Sequence, residues 1–148
     1  MKKFTIFLVS LFAVLSILPA SAGDDHIIPV GELPSPARQL LETYFKEVGV
    51  SYAKVDEDWF DREYKVVFVN GMKIEFLKDG SWKEIDCRYN GEVPADLVPK
   101  EIVDYLGQTF LEWRTVGIER DRRGYEVRLD NGLDLKFDRR FRLVGTDD

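Results

Sequence analysis

Tyr64-Lys-Val-Val-Phe-Val-Asn-Gly-Met-Lys-Ile-Glu-Phe76 is the stretch that decides the fold. Tyr64, Val66 and Phe68 alternate with Glu63, Lys65 and Val67 before Asn70-Gly71, and Met72, Ile74 and Phe76 alternate with Lys73 and Glu75 after it. Alternation of this kind predicts a β-hairpin with one buried face. A two-residue turn at Asn70-Gly71 would set Phe68 opposite Lys73 and mix core with solvent on both faces. A three-residue loop, Val69-Asn70-Gly71, with glycine in the left-handed bulge position, instead pairs Phe68 with Met72, Val66 with Ile74 and Tyr64 with Phe76.

Working outward, the pattern returns at Tyr125, Val127 and Leu129, then Leu133, Leu135 and Phe137, around Asn131-Gly132. Each hairpin follows a strand of weaker pattern, 50–56 and 114–120, with Ala53, Val55, Val116 and Ile118 facing inward. After the first hairpin comes a closing strand with two open registers: a Lys78-Asp79-Gly80 loop sets Trp82 inward against Phe76 and needs a bulge near Lys83 and Glu84, the favoured reading, whereas a two-residue Asp79-Gly80 turn keeps Ile85 and Cys87 inward and exposes Trp82. Ahead of each set lies a helical stripe. Leu33-Pro34-Ser35-Pro36 places Ser35 as cap and Pro36 in the first turn, before Ala37, Leu40, Leu41, Tyr44, Phe45 and Val48, with Gly49 as the stop. Val98-Pro99 precedes Ile102, Val103, Leu106 and Phe110 in the same way. The expected fold is therefore α+β, a tandem duplication of a helix plus four-stranded antiparallel sheet unit. Repeat one spans 33–87 and repeat two 98–147, joined by a polar linker and sharing one core.

Met1-Lys2-Lys3, the uncharged stretch Phe4 to Leu18 and Pro19-Ala20-Ser21-Ala22 form the three parts of a cleavable export signal over 1–22. Residues 23–32, with the sole histidine His26, read as a mobile lead, and 33–148 as the folded domain. Loss of Lys2 and Lys3 with the signal leaves 19 basic residues against 27 acidic ones, a formal charge of −8. That balance argues against nucleic acid and anionic membrane surfaces as partners, and no membrane span is expected after cleavage. A lone cysteine, Cys87, forms no internal disulfide and reads as a small buried apolar residue.

Several of these residues carry a resemblance. The signal, Leu33-Pro34 before a helix, Val66 to Phe76, Asp79-Gly-Ser-Trp82, Val93-Pro94, Val98-Pro99 and Tyr125 to Asp138 together resemble the β-lactamase-inhibitor-like, PepSY-like family of bacterial envelope proteins. The resemblance covers essentially the whole mature chain. It implies a helix on a four-stranded antiparallel sheet in each copy and export to the periplasm of Bacteroides-like bacteria, or secretion where there is no outer membrane. It transfers no inhibitory residue. One departure is Asp138-Arg139-Arg140-Phe141, which lacks the Asp-Gly of the first copy, so that this turn is expected to be free to differ.

For chemistry, the sequence offers little. His26 in a lead supplies no base for a nucleophile, so no catalytic triad is expected. Asp56, Glu57, Asp58 and Asp61 cluster without the glycine and final glutamate of a calcium loop, and no metal or cofactor is expected. Asp56-Glu-Asp-Trp59-Phe60-Asp-Arg62 is more informative, because it sets two large aromatics among acids at a strand-to-strand tip. They either fold back over the open end of the core or anchor a partner. The outer face, with Lys65, Val67, Val69, Lys73 and Glu75, is a candidate contact surface, set against a simply solvated face laced with ion pairs. The expected function is a non-enzymatic binding module that binds or inhibits another envelope protein or peptidase. The competing expectation is a small-ligand or envelope-sensing domain with a crevice between the repeats.

Overall fold

The computed structural model describes residues 24–148; the expected export signal and cleavage after Ala22 lie outside the described residues. Nine strands run in chain order across one antiparallel sheet: β1 (Asp24–Ile28), β2 (Val50–Glu57), β3 (Arg62–Phe68), β4 (Lys73–Phe76), β5 (Trp82–Asp86), β6 (Thr115–Arg120), β7 (Gly124–Leu129), β8 (Asp134–Asp138) and β9 (Leu143–Asp147). Helices α1 (Ser35–Tyr44) and α2 (Lys100–Thr109) interrupt the meander before β2 and before β6.

This architecture corrects the expected tandem of two helix-plus-four-strand units. β5 pairs with β6 through Glu84↔Glu119, Ile85↔Ile118 and Asp86↔Gly117, so there is one sheet where two were expected. The physical reason is that closing two separate sheets would leave β5 and β6 as edges with unpaired N–H and C=O groups. Pairing them instead continues the apolar row of Ile74 and Ile85 into Ile118 and Val127, all fully buried or nearly so. The presumed lead supplies the ninth strand, because β1 pairs with β2 from Asp24↔Glu57 to Ile28↔Ala53 and buries Ile28.

Both hairpins keep the register set by their alternation. Tyr64↔Phe76 and Val66↔Ile74 are partners, as are Tyr125↔Phe137 and Val127↔Leu135. Phe68 N–H donates to Met72 O at 2.9 Å and Leu129 N–H to Leu133 O at 2.9 Å, while Gly71 and Gly132 both have φ 89°. Trp82 faces Phe76 across β4 and β5 and is buried, with the register shift falling between Glu75 and Phe76 opposite Lys83. The turn after β8 matches the turn after β4 although it has no glycine. Asp138 N–H donates to Arg142 O and Phe141 N–H to Asp138 O, as Leu77 N–H does to Ser81 O and Gly80 N–H to Leu77 O. Phe141 thereby takes φ 62°, where the earlier turn uses Gly80 at φ 84°.

The two helices cover one face of the sheet. Leu33, Ala37, Leu41 and Phe45 from α1 and its flanks, and Val98 and Ile102 from around α2, complete a single core with the inward strand residues. Helix α1 stops four residues before Val48, because Phe45 leaves helical geometry at φ −129° while its N–H still reaches Leu41 O. Ser35 is the first helical residue; the cap is Pro34, with no side-chain cap bond. Loops after β2, β4, β6 and β8 therefore emerge at one end of the sheet, and the second face is left to charged side chains.

Candidate functional site: an aromatic tip and a charged outer face

At the β2–β3 tip, the chain is turned by one carboxylate. Asp58 Oδ1 accepts the Phe60 N–H at 2.9 Å and the Asp61 N–H at 2.8 Å, and Asp58 N–H donates to Asp61 O at 3.0 Å. Those N–H groups hold the Asp58 carboxyl below the usual carboxylate range. The local cluster of acids is thus consumed in shaping a turn, and Glu57 pairs with Arg62 across its base. Trp59 and Phe60 do not fold back over the core: they are 84% and 99% exposed. The turn fixed by Asp58 leaves both rings in solvent.

The sequence grouped these aromatics with five residues of the outer face, and the structure separates the groups. Lys65 faces Glu75 and Val67 faces Lys73 across β3 and β4, with Lys65 Nζ 2.6 Å from Glu75 Oε1. Val69 lies past the other end of β3, exposed at 71%, about 25–30 Å from the Trp59–Phe60 tip at some 3.3 Å per residue. Tyr52 on β2 and Ile27 on β1 add exposed apolar surface to the Val67 and Val69 side. Ile27 was missed because its segment carried no strand alternation, only an acidic lead-in.

A second feature was invisible in the sequence because it exists only once β5 and β6 join. Successive cross-strand partners run Lys65, Glu75, Glu84, Glu119, Glu126 and Lys136 straight across the outer face. Four glutamates thus stand side by side between two lysines. Burial, then Glu75, Glu119 and Asp86, push the Glu84 carboxyl above its ordinary value. The neighbouring row holds Asp86, only 6% exposed; its burial is outweighed by the Arg88 side-chain and backbone hydrogen bonds, which keep its carboxyl low. Opposite Gly117, Arg128 forms a two-pronged bond to Asp134 at 2.7 Å on each arm.

Other chemistry-bearing groups are placed away from this surface. Burial pushes the Cys87 thiol up to about 12, far from a nucleophile's range. His26 sits on edge strand β1, four strands from the end of β5 where Cys87 follows. Among the described residues, no group of three or more His, Cys, Asp or Glu is arranged to hold a metal ion. The crevice that a small-ligand reading requires, between Trp82, the segment 95–100 and Tyr125, is open and has Arg120 in its wall. Its guanidinium lies 4.0 Å from the Trp82 ring centroid, and its Nε donates to Trp82 O at 2.7 Å. No helix among the described residues is long and apolar enough to cross a membrane.

Comparison with known proteins matches residues 62–145 to the family model described as "putative beta-lactamase-inhibitor-like, PepSY-like". Among solved structures, the chain is similar to a protein of Bacteroides vulgatus described as a putative periplasmic protein, at 41% identity and TM-score 0.82, covering 86% of this chain and 99% of that one. A protein of Bacteroides thetaiotaomicron, described as a putative calcium-regulated periplasmic protein, matches at 38% identity and TM-score 0.80, over 84% and 98% of the two chains. A second Bacteroides vulgatus protein, described as periplasmic and of unknown function, matches at 36% identity and TM-score 0.78, over 84% and 99%. No curated protein matches the chain.

Proposed function

Because the chain belongs to the β-lactamase-inhibitor-like, PepSY-like family and is periplasmic, we propose that it is a non-enzymatic module that binds another envelope protein or peptide through the β2–β3 tip. The observation that carries this reading is the near-complete exposure of Trp59 and Phe60 on a turn fixed by Asp58. Two solvated aromatics on a pre-formed turn supply contact area with little ordering cost, and such rings dominate binding energy at protein interfaces. The charged groups that flank the rings, Glu57 paired with Arg62 and the neighbouring Asp61, would form the polar rim. A non-enzymatic role is supported by the masking of the Cys87 thiol and its separation from His26.

The test is photo-crosslinking in periplasmic extract from a probe at position 60, compared with the same probe in a Trp59→Ala background and with a probe at exposed Gln108. A partner specific to position 60 and weakened by Trp59→Ala supports the reading. Labelling that is the same from both positions refutes it.

A further inference from the structure

The chain is acidic overall, yet its arginines are concentrated at one place. Residues 121–123 and 138–142, the turns after β6 and after β8, hold five arginines against two aspartates. The two turns are neighbours, since β7 and β8 pair from Gly124↔Asp138 onward. They are also pressed together: a Cβ on Gly124 would stand 2.0 Å from Phe137 O.

Both aspartates are used inside their own turns. Asp121 Oδ1 accepts the Arg123 N–H at 2.7 Å and the Gly124 N–H at 3.2 Å, and Asp121 Oδ2 takes Arg123 Nε at 3.0 Å. Asp138 Oδ1 accepts the Arg140 and Arg142 N–H groups at 2.8 and 3.0 Å, and Asp138 Oδ2 takes Arg142 Nε at 2.8 Å. Arg122, Arg139 and Arg140 are exposed and form no ion pair among the described residues. What projects from these tips is therefore cationic, on two rigid turns whose acids are already satisfied.

We propose that the paired tips of β6–β7 and β8–β9 are a docking site for an acidic polypeptide segment, with Arg122, Arg139 and Arg140 as the carboxylate-binding groups. Guanidinium groups match carboxylates with two parallel hydrogen bonds, which favours a defined set of side-chain carboxylates. The charge of the rest of the molecule favours a short segment over an anionic bilayer. A chain of formal charge −6 is repelled by an extended negative surface, whereas a peptide lying within a Debye length of about 8 Å experiences the tips alone. The two turns stand four and six strands, about 20 and 30 Å, from the Trp59–Phe60 tip, and their binding does not require that tip to bind anything.

A labelled octaglutamate peptide tests this by fluorescence anisotropy with the mature chain, at low and physiological salt. Saturable binding is expected, weakened by salt, reduced at least tenfold in an Arg122→Gln/Arg139→Gln/Arg140→Gln variant and unchanged in Trp59→Ala/Phe60→Ala. Circular dichroism confirms that each variant is folded, and Arg139→Glu/Arg140→Glu provides a second variant that should abolish binding. Absence of octaglutamate binding overturns the proposal, as does binding that survives both arginine variants. Arginine-dependent retention on phosphatidylglycerol vesicles without octaglutamate binding overturns it in favour of a membrane surface.

Discussion

Replacing Glu84 by glutamine should make this protein more stable at neutral pH. Glu84 lies between Glu75 and Glu119 in the row across the outer face, directly opposite each of them. Like charges facing each other across strands are unfavourable by a few tenths to 1 kcal/mol per pair, and exposure to solvent screens both pairs, so relieving two of them is worth about 1 kcal/mol. For a domain of this size that corresponds to a rise in Tm of about 3–5 °C. The pH dependence has a fixed sign. A carboxyl raised in the folded state contributes stability that is fully present below its unfolded value, near the ordinary 4.5, and is lost as pH rises through the folded value. The advantage of glutamine should therefore be greatest at pH 7–8 and shrink towards zero below about pH 4.5. Thermal unfolding of both proteins from pH 4 to 8 measures it. A variant that is less stable at pH 7.5, or equally advantaged at pH 4, refutes the account of the row.

Three further outcomes follow from the backbone and the core. Gly132→Ala should cost about 1–2 kcal/mol from left-handed strain alone, since a Cβ there meets nothing within 4 Å, whereas Gly124→Ala collides with Phe137 O and should cost well over 3 kcal/mol; equal urea midpoints for the two would refute this ranking. Phe141→Gly should be more stable than Phe141→Ala by about 1 kcal/mol, because both lose the ring 5.6 Å from Tyr125 but only glycine relieves φ 62°; an alanine variant at least as stable would remove strain from the argument. Cys87 should resist iodoacetamide at pH 8 in the native protein and react at once in guanidinium, which mass spectrometry reads directly; fast native labelling would contradict its burial.

Local patterns in the sequence carried the strand pairs that are neighbours in the chain. The alternation of Tyr64, Val66 and Phe68 with Met72, Ile74 and Phe76 admits one register that keeps the core on one face, and that register is the one formed. The conflict between Trp82 and Ile85 for the inward face left two registers open, and the one with a bulge at Lys83, which buries both, is the one formed. Pairing between strands far apart in the chain carries no such signature. Glu84 and Glu119 are ordinary solvent-facing glutamates in the sequence, and nothing in the alternation of β5 names β6 as its neighbour. Asp24 to Ile28 became a strand because β2 offers it an edge, a property of the assembled sheet. The tip aromatics, for which the sequence allowed either folding back over the core or anchoring a partner, are exposed on a turn that Asp58 fixes. Phe141 shows the converse: two flanking hydrogen bonds and contact with Tyr125 hold a turn that composition alone assigns to glycine.

The agreement between strand order and chain order has a kinetic consequence wherever the chain becomes available for folding from its N-terminus onward. A chain that emerges N-terminus first presents β1 to β9 in succession, and each new strand finds its partner in the strand that arrived immediately before it. Loop closure is short at every step except across α1 and α2, so the entropy lost before each contact is small. No strand has to be inserted between two that have already paired. The growing edge is always the newest strand, and until its successor arrives it is the part of the molecule most open to pairing with another chain.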